Sequence, residues 1–223
     1  DDGFVKGVKV DLLDENIELL SDIVIGADGI DSRIGRWAGL KTLVKMKDME
    51  SCLQYSVANI DIKESTMTMY VGHKYAPGGY LWIFPKGKDF ANIGIGISGK
   101  YSKLKPAVEY LNDFIANEYP DVSILTTVCG GVPCPKIMKN PISNGLLLVG
   151  DAAHQINPLT GGGISSGMMG GKIGGEVASE AIKINNFSKD FLSKYSNKVY
   201  EVFGKQHDRF YRIKEASSQL SDN

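Results

Sequence analysis

Cysteine, tryptophan and one-sided charge are all scarce in this 223-residue chain. Its three cysteines, Cys52, Cys129 and Cys134, are too few and odd in number for a disulfide framework, which suits a reducing compartment. No C-x-x-C and no zinc-ligand spacing occurs, so buried, reduced thiols are the expectation and no metal site is assigned. Basic and acidic residues nearly cancel, 25 against 26, and are scattered, which argues against a nucleic-acid partner. The opening "DDGFVKGVKVDLLDEN" has neither the basic start nor the apolar core of a signal peptide, so it carries no targeting information. Long apolar runs are absent too. The stretch 161–184 repeats G-x-x-x-G spacings, yet Ser165, Ser166, Lys172, Glu176, Ser179 and Glu180 make it too polar for a membrane span of about 20 residues. It reads as a water-exposed helix, with Lys172 and Glu176 spaced to pair.

What is present is ordinary globular composition, 43% hydrophobic and 23% charged, enough for one large domain or two small ones. Residues 4–13 and 17–26 read as strands around the turn Asp14, Glu15, Asn16, the second ending in "DIVIGADG". A chain that opens on a hairpin feeding a buried strand looks like a piece of something longer. A short helix is expected over Ser32–Ala38 with Gly39 as its stop. From 50 to 98, "CLQYSVANID", "STMTMYVGH", "GGYLWIFPKG" and "FANIGIGIS" are short, alternating segments, the pattern of an antiparallel sheet. Then follow a helix over 103–117 with Pro106 in its first turn, strands at 122–132 and 145–149, and helices over 161–184 and 188–215.

Chemistry concentrates in "LLLVGDAAHQINPLTGGGIS", residues 146–165. "GLLLVGD" is a buried strand ending at Gly150, which puts Asp151 at the strand's carboxyl end, where open α/β sheets bind ligands. After the loop "AAHQINPLT", three glycines open a helix and leave its backbone N–H groups approachable by an anion or a polar ring edge. A carboxylate one loop earlier can accept hydrogen bonds from polyol hydroxyls, so the pair fits a nucleotide-type cofactor with a hydroxylated chain. The blander alternative is a capped turn and a closely packed helix. Gly163, Gly167, Gly170 or Gly171, Gly174 and Ala178 do form a smooth stripe at spacings of three and four, but the stripe gives no reason for "NPLTGGG". A second glycine pattern, "GIGISG" at 94–99, matches G-x-G-x-x-G but alternates with Ile93, Ile95 and Ile97. It belongs inside a strand, where glycine marks a close approach by another backbone or a ligand.

"DIVIGADGIDSRIGR" resembles the flavoprotein segment in which a strand-terminal Asp-Gly precedes a Ser and an Arg, and "GDAAHQINPLTGGGIS" resembles the second flavin motif of the aromatic-hydroxylase superfamily. With "APGGYLWIFPKGKDFANIGIGI" between them, nearly the whole chain is similar to the geranylgeranyl reductase family, above all to archaeal members that saturate the isoprenoid chains of membrane lipids. The resemblance implies an α/β (α+β) fold: a partial FAD-binding domain of the aromatic-hydroxylase type plus an antiparallel-sheet substrate domain with helices. It divides the chain into residues 1–45 and 141–184 as parts of the FAD-binding domain, 46–140 as the substrate domain, and 185–223 as a C-terminal helical segment. It further implies that Asp151 holds the ribityl chain of FAD and that Gly162, Gly163 and Ile164 line the pyrimidine side of the flavin through their backbones. Gly150, Pro158 and Gly161 belong to the same motif, and Asp28 and Gly29 to the other, near the cofactor. Tyr80, Trp82, Phe84 and Pro85 match the stretch that lines the family's substrate tunnel, although alternate side chains of such a strand are also what a core requires.

Two departures stand out. The family's N-terminal βαβ unit with its G-x-G-x-x-G for the ADP part of FAD has no counterpart here, and His154 stands where many reductases carry a small residue, as in the hydroxylases. The implied partners are an isoprenoid lipid and an electron donor, reduced nicotinamide or ferredoxin, in the cytoplasm with the membrane surface as a peripheral contact. The implied reaction adds a hydride from reduced flavin and a proton across an alkene. His73, His154 and Tyr80 are candidates for the proton, and no catalytic residue is assigned. A flavin monooxygenase and a non-catalytic fragment without cofactor are the rival readings.

Overall fold

The computed structural model describes residues 3–218. The described chain divides into two compact units, one made of residues 3–43 with 134–213, the other of 44–133 with 214–218.

In the first unit, β1 (Gly7–Leu12) and β2 (Glu15–Leu20) form an antiparallel hairpin whose tight turn holds Leu13 and Asp14 at positive φ. The strand expected over 17–26 is in fact two. Ser21 N–H still donates to Lys6 of the hairpin, but Val24 N–H donates to Gly145 O, so the backbone changes partners within three residues. Beyond that switch β3 (Val24–Gly26) joins a second sheet, ordered β3-β10-β9, in which β10 (Leu146–Leu148) runs parallel to β3 and antiparallel to β9 (Ile142–Ser143). The helix α1 (Arg33–Trp37) follows β3, and Gly39, at φ 80°, stops it. The long helices are α3 (Ile164–Lys183), α4 (Lys189–Val199) and α5 (Lys205–Ser217). Between α4 and α5 the expected continuous helix is widened into a π-turn at Tyr200–Gly204. Tyr200 lies so close over Gly204 that a Cβ there would sit 2.7 Å from its ring, a contact that apolar periodicity cannot announce. Leu147, Val149, Ile173, Val177, Leu192 and Tyr195 pack as one core beneath α3 and α4.

The glycine stripe of α3 has a packing cause. A Cβ at Gly174 would lie 3.3 Å from Val149 and one at Gly167 3.6 Å from the Gly150 Cα, so the helix lies close against β10 and the turn after it. Lys172 and Glu176 are exposed and, among the described residues, form no ion pair.

The second unit is a five-stranded antiparallel sheet ordered β5-β6-β7-β4-β8, from β4 (Met49–Ala58), β5 (Thr68–Val71), β6 (Tyr80–Gly87), β7 (Phe90–Ser98) and β8 (Ser123–Pro133). One face buries Leu53, Tyr55, Val57, Leu81, Ile83, Ile93, Ile95 and Ile97 against α2 (Ala107–Glu118). That helix contributes Ala107, Leu111, Phe114 and Ile115, the spacing of a single amphipathic stripe. It begins four residues later than its sequence pattern predicts. Lys105 precedes a proline and is biased away from the helical region, so Pro106 caps the helix from outside, at φ −69° and ψ 155°. Among the cysteines Cys134 is buried and Cys52 half-buried, but Cys129 is exposed, correcting the expectation of three buried thiols; among the described residues none of the three is in a disulfide.

Candidate functional site

The parallel pairing of β3 with β10 sets Gly26 opposite Leu148, and Val149 N–H donates to Gly26 O at 2.9 Å. Asp28 and Asp151 therefore leave the carboxyl ends of neighbouring strands, the edge at which α/β sheets bind ligands. The two motifs, more than a hundred positions apart in sequence, are brought to one sheet edge.

At Gly150 the backbone turns at φ 64°, and residues Gly150–Ala153 form one 3-10 turn that presents Asp151 half-exposed. Partial burial raises the Asp151 pKa, and the nearby His154 opposes the rise. The loop after it is closed on itself: Asn157 N–H donates to Gly162 O at 2.9 Å, Gly161 N–H to Asn157 O at 2.8 Å, and Asn157 Oδ1 accepts from Leu159 N–H. Gly161 adopts φ 71° within this closure, and Pro158 is buried in it. Gly163 then caps α3 without a side chain that could satisfy the first-turn N–H groups. A Cβ at Gly163 would lie 3.2 Å from Asp151 Oδ1, so carboxylate and bare helix start adjoin. Ile164, the first residue of α3, is 84% exposed.

Asp28 has a structural duty as well. Its Oδ2 accepts from Ile34 N–H at 2.9 Å and caps α1, while Gly29, at φ 75°, has open space where a Cβ would be. His154 is buried in a left-handed conformation with Nε2 3.0 Å from Thr42 O, holding the segment after α1. That role accounts for the histidine without any proton transfer.

In the sheet unit, Tyr80, Trp82 and Phe84 alternate with the buried Leu81 and Ile83 and so share the face opposite α2. Their rings form a ladder, with centroids 5.6 and 6.0 Å apart. Pro85 has the other parity and does not share that face. The "GIGISG" glycines explain the ladder's posture. A Cβ at Gly94 would fall 2.3 Å from Trp82 Cζ2, so the indole lies across β7, and its Nε1 donates to Gln54 Oε1 on β4 at 3.2 Å. Met69, Val71 and Val128 continue the face on the flanking strands, all more than half exposed. The result is a broad, apolar, aromatic floor with a few amides fixed in it. His73 packs edge-on against Tyr101, 5.4 Å away.

Sequence reasoning missed Glu50, the first residue of this face on β4. It is 8% exposed, Lys214 lies 3.9 Å away, and burial pushes its carboxyl up to about 7 against the pull of Lys214. A lone Glu in "DMESCLQ" has nothing to separate it from a surface acid, and only the fold reveals its burial. Gln155, wholly buried, was passed over in the same way.

The sheet unit matches a family model, the geranylgeranyl reductase catalytic domain, over residues 48–132. A digeranylgeranylglycerophospholipid reductase of Methanosarcina mazei is 45% identical over 226 aligned residues, covering 100% of this chain and 56% of that protein. Among solved structures, a geranylgeranyl bacteriochlorophyll reductase-like protein of Thermoplasma acidophilum superposes with a TM-score of 0.95 at 37% identity, covering 100% of this chain and 57% of that one. A flavin-dependent brominase, at 15% identity, TM-score 0.74 and coverage of 95% and 56%, shares the fold. The chain spans about half the length of the curated relatives it matches. Sequence identity along the whole chain, the matched catalytic-domain model and the superposed backbone agree: the chain belongs to the geranylgeranyl reductase family.

Proposed function

We propose that this chain forms part of an FAD-dependent enzyme that saturates carbon–carbon double bonds in the geranylgeranyl chains of membrane lipids. The observation that carries the proposal is the junction of Asp151 with the side-chain-free start of α3, a carboxylate acceptor 3.2 Å from where a Cβ of Gly163 would be. The residues fit the group: a carboxylate suits ribityl hydroxyls, and bare N–H groups at a helix start suit the polar edge of a flavin pyrimidine.

When bound, reduced flavin supplies a hydride to one alkene carbon while a proton reaches the other. Asp151 accepts hydrogen bonds from the polyol, Gly162, Gly163 and Ile164 offer backbone groups to the ring, and Asp28 and Gly29 stand at the same sheet edge. Tyr80, Trp82 and Phe84 supply an apolar surface suited to a chain with no polar group to recognise, so affinity comes from burial. Among the described residues no helix is long and apolar enough to cross a membrane.

Anaerobic incubation of the full protein with FAD, a chemical reductant and a geranylgeranyl lipid tests the reading. Saturated product without oxygen supports it, and turnover only with oxygen would identify a monooxygenase instead. Reconstitution with reduced nicotinamide or reduced ferredoxin separates the two electron sources. Asp151→Ala is expected to weaken FAD binding by about ten- to a hundredfold, the value of a charge-assisted hydrogen bond.

A further inference from the structure

Between Asp151 and the glycines of α3 lies a fully buried amide that the cofactor reading does not use. Gln155 is 0% exposed, and its bonds run in three directions. Its backbone and side chain both close on Gly150: Gln155 N–H donates to Gly150 O at 3.0 Å, and Gly150 N–H donates to Gln155 Oε1 at 2.8 Å. Its carbonyl accepts from the hydroxyl of Ser166, in the first turn of α3, which also reaches Gly163 O at 3.3 Å. Its amide nitrogen donates to the Tyr195 hydroxyl at 2.6 Å, and that hydroxyl donates to Leu148 O at 2.8 Å, returning to the strand that carries Asp151.

We infer that Gln155, held by Tyr195, is a positioning residue that sets the distance between the Asp151 carboxylate and the backbone of Gly163. The inference rests on the reading of those two groups as the flavin cradle. The reciprocal pair with Gly150 fixes the left-handed turn from which Asp151 projects. The bond from Ser166 fixes the start of α3. One residue thus joins both halves of the cradle, its side-chain amide oxygen holding Gly150 and its backbone carbonyl holding Ser166, and Tyr195 fixes the side chain's rotamer and the orientation of its amide. Space is reserved for it: a Cβ at Gly170 would fall 2.0 Å from Gln155 Oε1, which gives that glycine a reason beyond a smooth helix face. A core filler would need none of this, because an unpaired buried amide is costly and an apolar side chain of the same size would pack as well.

The test uses the full protein and measures the FAD dissociation constant well below each variant's Tm, together with the visible circular dichroism of bound flavin. Tyr195→Phe keeps the ring and removes the hydroxyl, and Gln155→Met keeps the length and removes the amide. Both are expected to raise the dissociation constant roughly tenfold, as expected for a misplaced binding group, and to alter the flavin dichroism. Leu192→Ala, in the same core but outside the network, controls for general loosening and is expected to lower Tm with the dissociation constant unchanged. If FAD affinity simply follows Tm across the three variants, or stays at the wild-type value in Tyr195→Phe and Gln155→Met, the positioning role is wrong. Asp151→Ala separates the two levels: unchanged affinity there overturns the cradle itself, whereas weakened affinity there with normal affinity in Tyr195→Phe and Gln155→Met overturns only the positioning. Should Tyr195→Phe fail to fold, Gln155→Met decides alone.

Discussion

Replacing Gly94 by alanine adds one methyl group beneath the Trp82 indole and tests whether that ring is held where the structure puts it. The new Cβ would stand 2.3 Å from Cζ2 and 2.4 Å from Cε2, whereas carbon atoms pack at about 3.5–4.0 Å. The ring must therefore lift by more than an ångström. It cannot do so freely, because Nε1 donates to Gln54 Oε1 at 3.2 Å and the ring is stacked on Phe84. Overpacking of this kind costs about 1–3 kcal/mol, and losing the amide bond about 1 kcal/mol more. For a chain of this length that amounts to a fall in Tm of roughly 4–16 °C. Tryptophan emission reports the same event: Trp37, 78% exposed, already sees water, so a red shift on substitution comes from Trp82. Thermal melts and emission spectra of wild type and Gly94→Ala make the comparison. A Tm unchanged within about 1 °C with an unshifted spectrum would show that the indole is not laid against β7.

Trp82→Ala separates substrate floor from core filler: a floor loses reduction of long prenyl lipids more than of short prenyl substrates, because long chains gain about 25 cal/mol for each Å² buried, and an equal loss on both would refute the assignment. Glu50 carries a pH signature: its pKa is pushed from 4.5 to about 7, so the folded state keeps a proton that the unfolded chain has released, and stability falls as pH rises from 4.5 through 7. The group costs about 3 kcal/mol above that window and nothing below it; Glu50→Gln should flatten the slope in denaturant titrations at several pH values, and an unchanged slope would place the titration elsewhere. Ser188 caps α4 by accepting from Phe191 N–H at 3.3 Å, so Ser188→Ala should lower stability by about 1 kcal/mol in urea unfolding.

Legibility in the sequence followed the range of the interaction that decides each feature. The four strands of 50–98 were readable because alternation is local: β6, and β4 from Leu53 onward, alternate with one buried face, while β7 alternates Ile with Gly and is buried on both faces from Ile93 to Ser98. The break between β2 and β3 was not, since a single bend at Asp22, where the backbone partner changes from Lys6 to Gly145, divides two segments that share one apolar pattern. The π-turn at Tyr200–Gly204 hid for a related reason: one residue inserted into a helix displaces the apolar phase by less than a periodicity count resolves. Pro85 stands beside the aromatics in sequence, but the pleat turns it to the other side.

The candidate site divides along the same line. Asp151 and the glycines were legible because a strand-terminal acid and a run of glycines are costly to fold unless the local geometry calls for them. Gly161 meets that condition with φ 71°, and Gly163 with a carboxylate oxygen 3.2 Å from its missing Cβ. Gln155 and Glu50 lay beyond reach because a polar residue among apolar ones is ordinarily solvent-facing, and burial appears only when remote chain closes over it. For Gln155 the closing residue is Tyr195, forty positions on, and for Glu50 it is Lys214, more than a hundred and sixty positions away. Glycine is what connects the two classes. Gly94 belongs to a sequence pattern it does not serve, and Gly170 to a stripe that only partly explains it, yet each marks where a distant side chain needs room: Trp82 over one, Gln155 against the other. An unexplained glycine inside a regular element is therefore a pointer to a long-range contact, and the contact tells more about the site than the glycine's own conformation does.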